Sequence, residues 1–241
     1  ALAERGARVV VNDLGEDDTN SVVNDIEAAG GTAMAAACSV SDNDAVVAMV
    51  NQTMDTWGRV DILVNNAGIL RDKTFHKMSL DDFQLVIDVH LMGSVYCTKA
   101  VWGLMREQQY GRVMFTSSST GLYGNFGQAN YAAAKMAMVG LMNTLHLEGQ
   151  KYNIRVNCLA PAAGTAMTEG LFPAKAFELL APETVSPGVV SLVSPAAPSR
   201  TVLAAGGGGF AVFTGFETDG INLLPDNLSA EGDSDPWNSV P

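Results

Sequence analysis

The chain has 241 residues, 47% of them hydrophobic and 17% charged, which is enough to bury one sizeable core. Its 26 acidic and 14 basic residues leave a formal charge of −12, which argues against nucleic acid or an anionic membrane surface as partner. It contains no signal-peptide pattern and no apolar run of roughly 18 residues, so the expectation is a soluble, cytoplasmic protein. Cys38, Cys97 and Cys158 are odd in number, far apart and set in apolar segments, as expected of reduced, buried thiols. His76, His90 and His146 lack metal-ligand spacing, so no metal is expected.

In chain order, residues 8–13 (Arg-Val-Val-Val-Asn-Asp) read as a buried strand. A helix follows over 19–29 and ends at Gly30-Gly31, a suitable C-cap. Residues 33–38 form a second strand, 42–57 a second helix and 60–65 a third strand. Two helices come next, over 79–89 and 91–108, then a strand over 111–116, a helix over 131–151 and a strand over 153–159. Strand and helix alternate, which predicts an α/β doubly wound parallel sheet covered on both faces. Ligands of such sheets bind beyond the carboxyl ends of the strands. Asp13, Asn66, Ser118 and Pro161 all fall just past a predicted strand end and would line one crevice.

Beyond residue 170 the pattern weakens. A helix over 186–193 and an edge strand over 210–213, entered through Gly206-Gly207-Gly208-Gly209, are the elements expected there. The reading is one domain over 1–224, followed by an acidic, flexible tail over 225–241 with Asp226, Glu231, Asp233 and Asp235.

Tyr131 and Lys135 lie four apart, on one face of the predicted helix, so the ammonium can approach the phenol. A free phenol has a pKa of about 10. A nearby cation favours the phenolate and brings the group toward neutral pH, where it can exchange a proton with a hydroxyl/carbonyl pair. Ser118, thirteen residues before Tyr131, offers a hydroxyl to hold the reacting oxygen; Ser117 and Ser119 are its local near-equivalents. Upstream, Asp61-Ile62-Leu63-Val64-Asn65-Asn66-Ala67-Gly68 is a buried-strand pattern ending in a glycine-terminated turn.

From about residue 1 to 170 these elements, at these intervals, resemble the short-chain dehydrogenase/reductase family, which implies a Rossmann-like fold and a nicotinamide cofactor. The resemblance makes Tyr131 the general acid/base. Ser118 becomes the partner of the substrate oxygen, and Lys135 both lowers the phenol pKa and binds the nicotinamide ribose. It also puts Asp13 where the family reads the adenosine ribose, Ser39 and Val40 against the adenine, and Asn66, Ala67, Gly68 and Pro161 beside the cofactor. A carboxylate at Asp13 suits ribose hydroxyls and repels a 2′-phosphate. Nine acidic residues and no Lys or Arg occupy positions 9–58, so NAD is expected rather than NADP. Asp13 as a plain turn or capping residue is the competing reading.

Two departures from the family pattern matter. Residues 1–7 read as the end of a helix, so the family's first strand and glycine-rich pyrophosphate loop have no counterpart here, and the expectation is an incomplete N-terminus. His90 stands where most members have an asparagine that supports a proton path. With that histidine, Asn65 to Asp72, Tyr123 to Tyr131 and Ala160-Pro161 are similar to the (3R)-hydroxyacyl-CoA dehydrogenases of multifunctional β-oxidation enzymes. That resemblance implies a 3-hydroxyacyl-CoA substrate; a hydroxysteroid or other hydroxy-lipid substrate is the second reading, and a non-catalytic scaffold the third. Arg71, Lys73 and Lys77 are candidates for a CoA phosphate site, or solvated surface charge. A second apolar stripe on the helices at 91–108 and 131–151, through Val95, Ala100, Val101, Ala132, Ala137, Val139 and Leu141, predicts a homodimer or homotetramer.

Overall fold

The structure, a computed structural model, describes residues 1–165, 168 and 173–219. The tail expected over 225–241 lies outside them. A short 3-10 turn (Ala3–Arg5) leads into β1 (Arg8–Asp13), α1 (Glu16–Ala28), β2 (Thr32–Ala37), α2 (Asn43–Trp57) and β3 (Ile62–Asn65). Then come α3 (Leu80–Ile87), a turn of π-helix (Asp88–Met92), α4 (Gly93–Gln108) and β4 (Gly111–Thr116). The rest is α5 (Ser119–Tyr123), α6 (Ala129–Gly149), β5 (Ile154–Pro161), α7 (Ala174–Leu179), α8 (Ser186–Val193), β6 (Val202–Gly206) and β7 (Gly209–Phe213).

Local chemistry sets several of these boundaries. α1 starts earlier than expected, at Glu16, because Glu16, Asp17 and Asp18 place negative charge in its first turn. Asp42 caps α2 by accepting from the Asp44 and Ala45 amides at 3.0 and 3.1 Å, and the helix stops at Gly58, whose φ of 73° is left-handed. The helices expected over 79–89 and 91–108 are in fact one continuous run, with His90 inside the π-turn that joins them. Neither α5 nor β6 was legible in advance. Gly206 and Gly209 close a hairpin, turning through Gly207 and Gly208 at φ 56° and 79°, which makes β7 antiparallel to β6.

β3, β4, β5 and β6 are parallel, in that order, with β7 at the edge. Every residue of β4 is buried, as a strand covered on both faces must be. Val113 and Phe115 pack with Val156 and Cys158 under Val101, Met105, Met138 and Met142 of α4 and α6. The alternate residues Met114 and Leu159 pack on the other face against Leu192 and Val193 of α8. This core absorbs much of the apolar stripe expected to face another subunit: Val101 and Val139 are buried in it, and Ala100 and Leu141 pack against it.

Among the described residues β1 pairs only with β2, and β3 is the other end of the five-stranded sheet. A cavity of about 750 Å³ separates these facing edges, lined by Val9, Val10 and Val11 on one side and Ile62, Leu63 and Val64 on the other. These six apolar residues are only half-buried, unlike their counterparts in β4.

Candidate active site

Beyond the carboxyl end of β4 the chain brings Ser118, Tyr131 and Lys135 together. Ser118 is 9% exposed and caps α5: its Oγ accepts from the Thr120 amide at 3.2 Å, which leaves the hydroxyl proton free to donate. Lys135, one turn after Tyr131 on α6, is 3% exposed, and its Nζ donates to the Thr116 carbonyl at 2.6 Å. Ser117 secures the same helix by donating to the Lys135 carbonyl at 2.9 Å. A Cβ on Gly121 would stand 2.8 Å from Lys135 Cβ, so α5 and α6 meet this closely only because residue 121 is glycine.

The electrostatics correct one expectation. Burial pushes the Tyr131 phenol above its ordinary range; the neighbouring Ser118 hydroxyl opposes this and the Asp72 carboxylate adds to it. The Lys135 ammonium, 5.4 Å from the Tyr131 ring centroid and bonded to the Thr116 carbonyl, does not reverse this balance. Burial lowers Lys135 itself to about 8, which leaves it cationic at neutral pH.

His90 is 1% exposed and stands edge-on to Tyr131, with ring centroids 5.2 Å apart at 88°. Its Nε2 lies 3.0 Å from the Ile69 amide nitrogen and 2.8 Å from the Ile69 carbonyl oxygen. One backbone residue therefore satisfies either tautomer at Nε2, and Nδ1, buried and without a partner among the described residues, takes the complementary state. Burial, with the Lys135 charge second, lowers His90 to about 4, so the ring is neutral at pH 7.

Asp13, Ser39, Val40, Asn66, Ala67 and Gly68 all line the cavity between β1 and β3; Ser118, Tyr131, Lys135 and Pro161 lie outside that lining. Pro161 ends β5, in register with Ala205. The Asp13 carboxylate is exposed at the end of β1 and accepts from the Leu14 amide at 2.6 Å, so it turns the chain as well as facing the opening. Ser39 shares a 2.7 Å hydrogen bond with Ser41. Asn66 accepts from the Thr116 hydroxyl at 3.0 Å, tying the turn after β3 to the end of β4. Val40 packs against Gly93, where a Cβ would come within 2.6 Å of Val40 Cγ2. His90 joins the two groups, touching Ile69 on the cavity side and Tyr131 on the other. An acidic residue at the end of β1 and small and polar residues at the ends of β2 and β3 line this cavity together with Arg8 and Arg59, a set that suits a nicotinamide dinucleotide.

Sequence reasoning passed over Gln128, Asn130 and Asp72. Asn130 is fully buried; its side-chain amide donates to the Arg71 carbonyl at 3.1 Å, and its oxygen accepts from the Tyr131 amide at 2.8 Å. The signal for the first two is that Gln128 and Asn130 are polar residues within three positions of Tyr131; Asp72, far off in sequence, carries none.

A parallel α/β sheet carrying this serine, tyrosine and lysine beyond its central strand defines an NAD(P)-dependent oxidoreductase. The chain belongs to the short-chain dehydrogenase family, whose profile matches residues 1–176. A short-chain type dehydrogenase/reductase of Mycobacterium tuberculosis is 46% identical over 232 residues, covering 92% of this chain and 81% of that protein. The 3-oxoacyl-[acyl-carrier-protein] reductase of Synechocystis is 44% identical over 174 residues, covering 71% of this chain and 70% of that protein. Among solved structures, the full-length peroxisomal multifunctional enzyme type 2 of Drosophila melanogaster superposes with a TM-score of 0.84 at 38% identity. That match covers 99% of this chain and 41% of the fly protein.

Proposed function

We propose that this protein oxidises a 3-hydroxyacyl-CoA with NAD, with Tyr131 as general base. The observation that carries the reading is the convergence of Ser118, Tyr131, Lys135 and a neutral His90 beside the cavity that Asp13, Ser39, Val40, Asn66, Ala67 and Gly68 line. The likeness to a 3-oxoacyl thioester reductase and to a peroxisomal multifunctional enzyme supports the acyl thioester.

In this reading the Ser118 hydroxyl, whose oxygen is already engaged by Thr120, donates to the substrate oxygen and fixes it beside Tyr131. The Tyr131 phenolate takes the hydroxyl proton as the carbinol carbon is oxidised. Lys135 stays cationic, lies 5.4 Å from the Tyr131 ring centroid on the same face of α6, and holds the nicotinamide ribose. His90 accepts or donates at Nδ1 without gaining charge and steadies the Tyr131 ring. Asp13 holds the adenosine ribose, Ser39 and Val40 the adenine, and Asn66, Ala67, Gly68 and Pro161 the remainder of the dinucleotide. When bound there, NAD supplies the hydride acceptor. The facing edges of β1 and β3, unpaired among the described residues, leave room for one further parallel strand, and such a strand with a glycine-rich turn completes the pyrophosphate site in this proposal.

A homodimer or homotetramer across α4 and α6 completes the reading. Its support has moved from the expected stripe to Met136 and Leu147, 44% and 66% exposed, and to Gly103 and Gly140, where an added Cβ would meet nothing within 4 Å. The deciding experiment is a panel of 3-hydroxyacyl-CoA esters, hydroxysteroids and simple secondary alcohols, followed by NADH absorbance. NADH formation with the acyl-CoA esters is expected. Turnover of steroids alone replaces the substrate, and NAD binding without turnover of any alcohol removes the enzyme reading.

A further inference from the structure

Ser118 and Tyr131 must keep a fixed separation to hold and deprotonate one oxygen, yet they belong to different helices. Between α5 and α6 runs a short loop, Gly124 to Gln128, in which Gly124 and Gly127 both have φ of 81°. Asn125 and Phe126 are exposed, the latter by 87%, so no apolar anchor holds the loop down. Its single buried side chain is Gln128, 7% exposed. Gln128 Oε1 accepts from the Thr120 hydroxyl at 3.0 Å and from the Asn125 amide at 2.9 Å, while Nε2 donates to Asp72 Oδ2 at 2.7 Å. A carboxylate can only accept, which fixes the sense of that last bond. Thr120 is the residue whose amide Ser118 caps, and the Gln128 carbonyl accepts from Ala132 at 2.7 Å in the first turn of α6. A second bond runs alongside, from the Lys73 amide to the Gly127 carbonyl at 2.9 Å.

We propose that Gln128 and Asp72 form a cross-brace that sets the distance between Ser118 and Tyr131, and that both are positioning residues of the reaction. Gln128 reaches the serine side through Thr120 and the tyrosine side through the start of α6. Asp72 pins this junction to the loop after β3, whose near end, Asn66 to Gly68, lines the cofactor cavity. The charge on Asp72 strengthens a bond that two neutral groups would make more weakly.

The proposal rests on the dehydrogenase reading, and a polarity swap tests it. Gln128→Glu keeps the acceptor for Thr120 and Asn125 but sets carboxylate against carboxylate at residue 72. The expected result is a fall in kcat of tenfold or more, with the NAD Kd within twofold of the parent. Adding Asp72→Asn reverses donor and acceptor, since the new amide at 72 donates to the new carboxylate at 128. The double variant should recover kcat to within threefold, a rescue that general loosening of the fold would not show. An unchanged kcat in Gln128→Glu overturns the proposal, and so does a double variant no faster than Gln128→Glu alone. A readout independent of turnover separates this failure from failure of the dehydrogenase reading: with 13Cζ-labelled tyrosine, the Tyr131 resonance, assigned through Tyr131→Phe, should shift in Gln128→Glu and return in the double variant. A Tyr131 resonance that stays in place in Gln128→Glu overturns the brace whether or not any substrate is turned over.

Discussion

The His90 ring fills the space that a side chain on Gly68 would need: a Cβ at Gly68 would stand 2.3 Å from His90 Cε1. The turn after β3 and the π-turn before α4 therefore fit each other only with this pair of residues. Gly68→Ala must displace a ring that is 1% exposed and bonded to Ile69. Overpacking of this kind costs about 1–3 kcal/mol. The expected outcome is a lower melting temperature together with lost turnover, whereas Gly215→Ala, at an exposed and open position outside any helix or strand, should change neither. Equal behaviour of the two variants would contradict this account of the fit.

His90 also predicts how stability depends on pH. Its folded pKa is lowered from 6.5 to about 4, so between those values the unfolded chain holds a proton that the folded chain does not. Stability from this group is complete above pH 6.5 and is lost as the pH falls toward 4, by about 3 kcal/mol in total. Urea midpoints measured across that window should fall more steeply in the parent than in His90→Asn. Parallel curves would show that the histidine titrates normally.

Tyr131→Phe keeps the ring that His90 packs against but removes the proton carrier. Transition-state stabilisation should drop by about 3–5 kcal/mol with NAD affinity little changed. Because burial raises the phenol pKa, alcohol oxidation in the parent should accelerate as the pH rises toward the alkaline range. A Phe variant with a tenth of parental turnover would remove Tyr131 from the chemistry.

Cofactor choice tests Asp13. Replacing it with Ala should weaken NAD binding and relax discrimination against NADP, since ribose hydrogen bonds and repulsion of the 2′-phosphate disappear together. Titration of both cofactors by calorimetry checks this. A parent protein that prefers NADP would falsify the assignment.

Assembly is tested at Leu147, which is 66% exposed on α6. Leu147→Glu should shift the sedimenting species toward the monomer, because an ionised group buried at an interface without a partner is strongly unfavourable. A parent chain that sediments as a monomer at micromolar concentration would end the oligomer proposal.

The sequence by itself determined the alternation of strands and helices, and with it the parallel sheet, because buried strands and amphipathic helices are written in local hydrophobic periodicity. It also placed Ser118, Tyr131 and Lys135 together, since a four-residue helical spacing and a strand end are local facts. Only the tertiary structure decided what surrounds them. That Val101 and Val139 face the core and not a partner, that Lys135 turns to Thr116, and that His90 meets Gly68 and Tyr131 all depend on how separate elements pack. The bond between Asp72 and Gln128 crosses 56 residues, and no periodicity within either segment encodes it. The direction of the Tyr131 pKa follows for the same reason: a charge four residues away is visible in the sequence, whereas desolvation by the rest of the fold, the larger effect, is not.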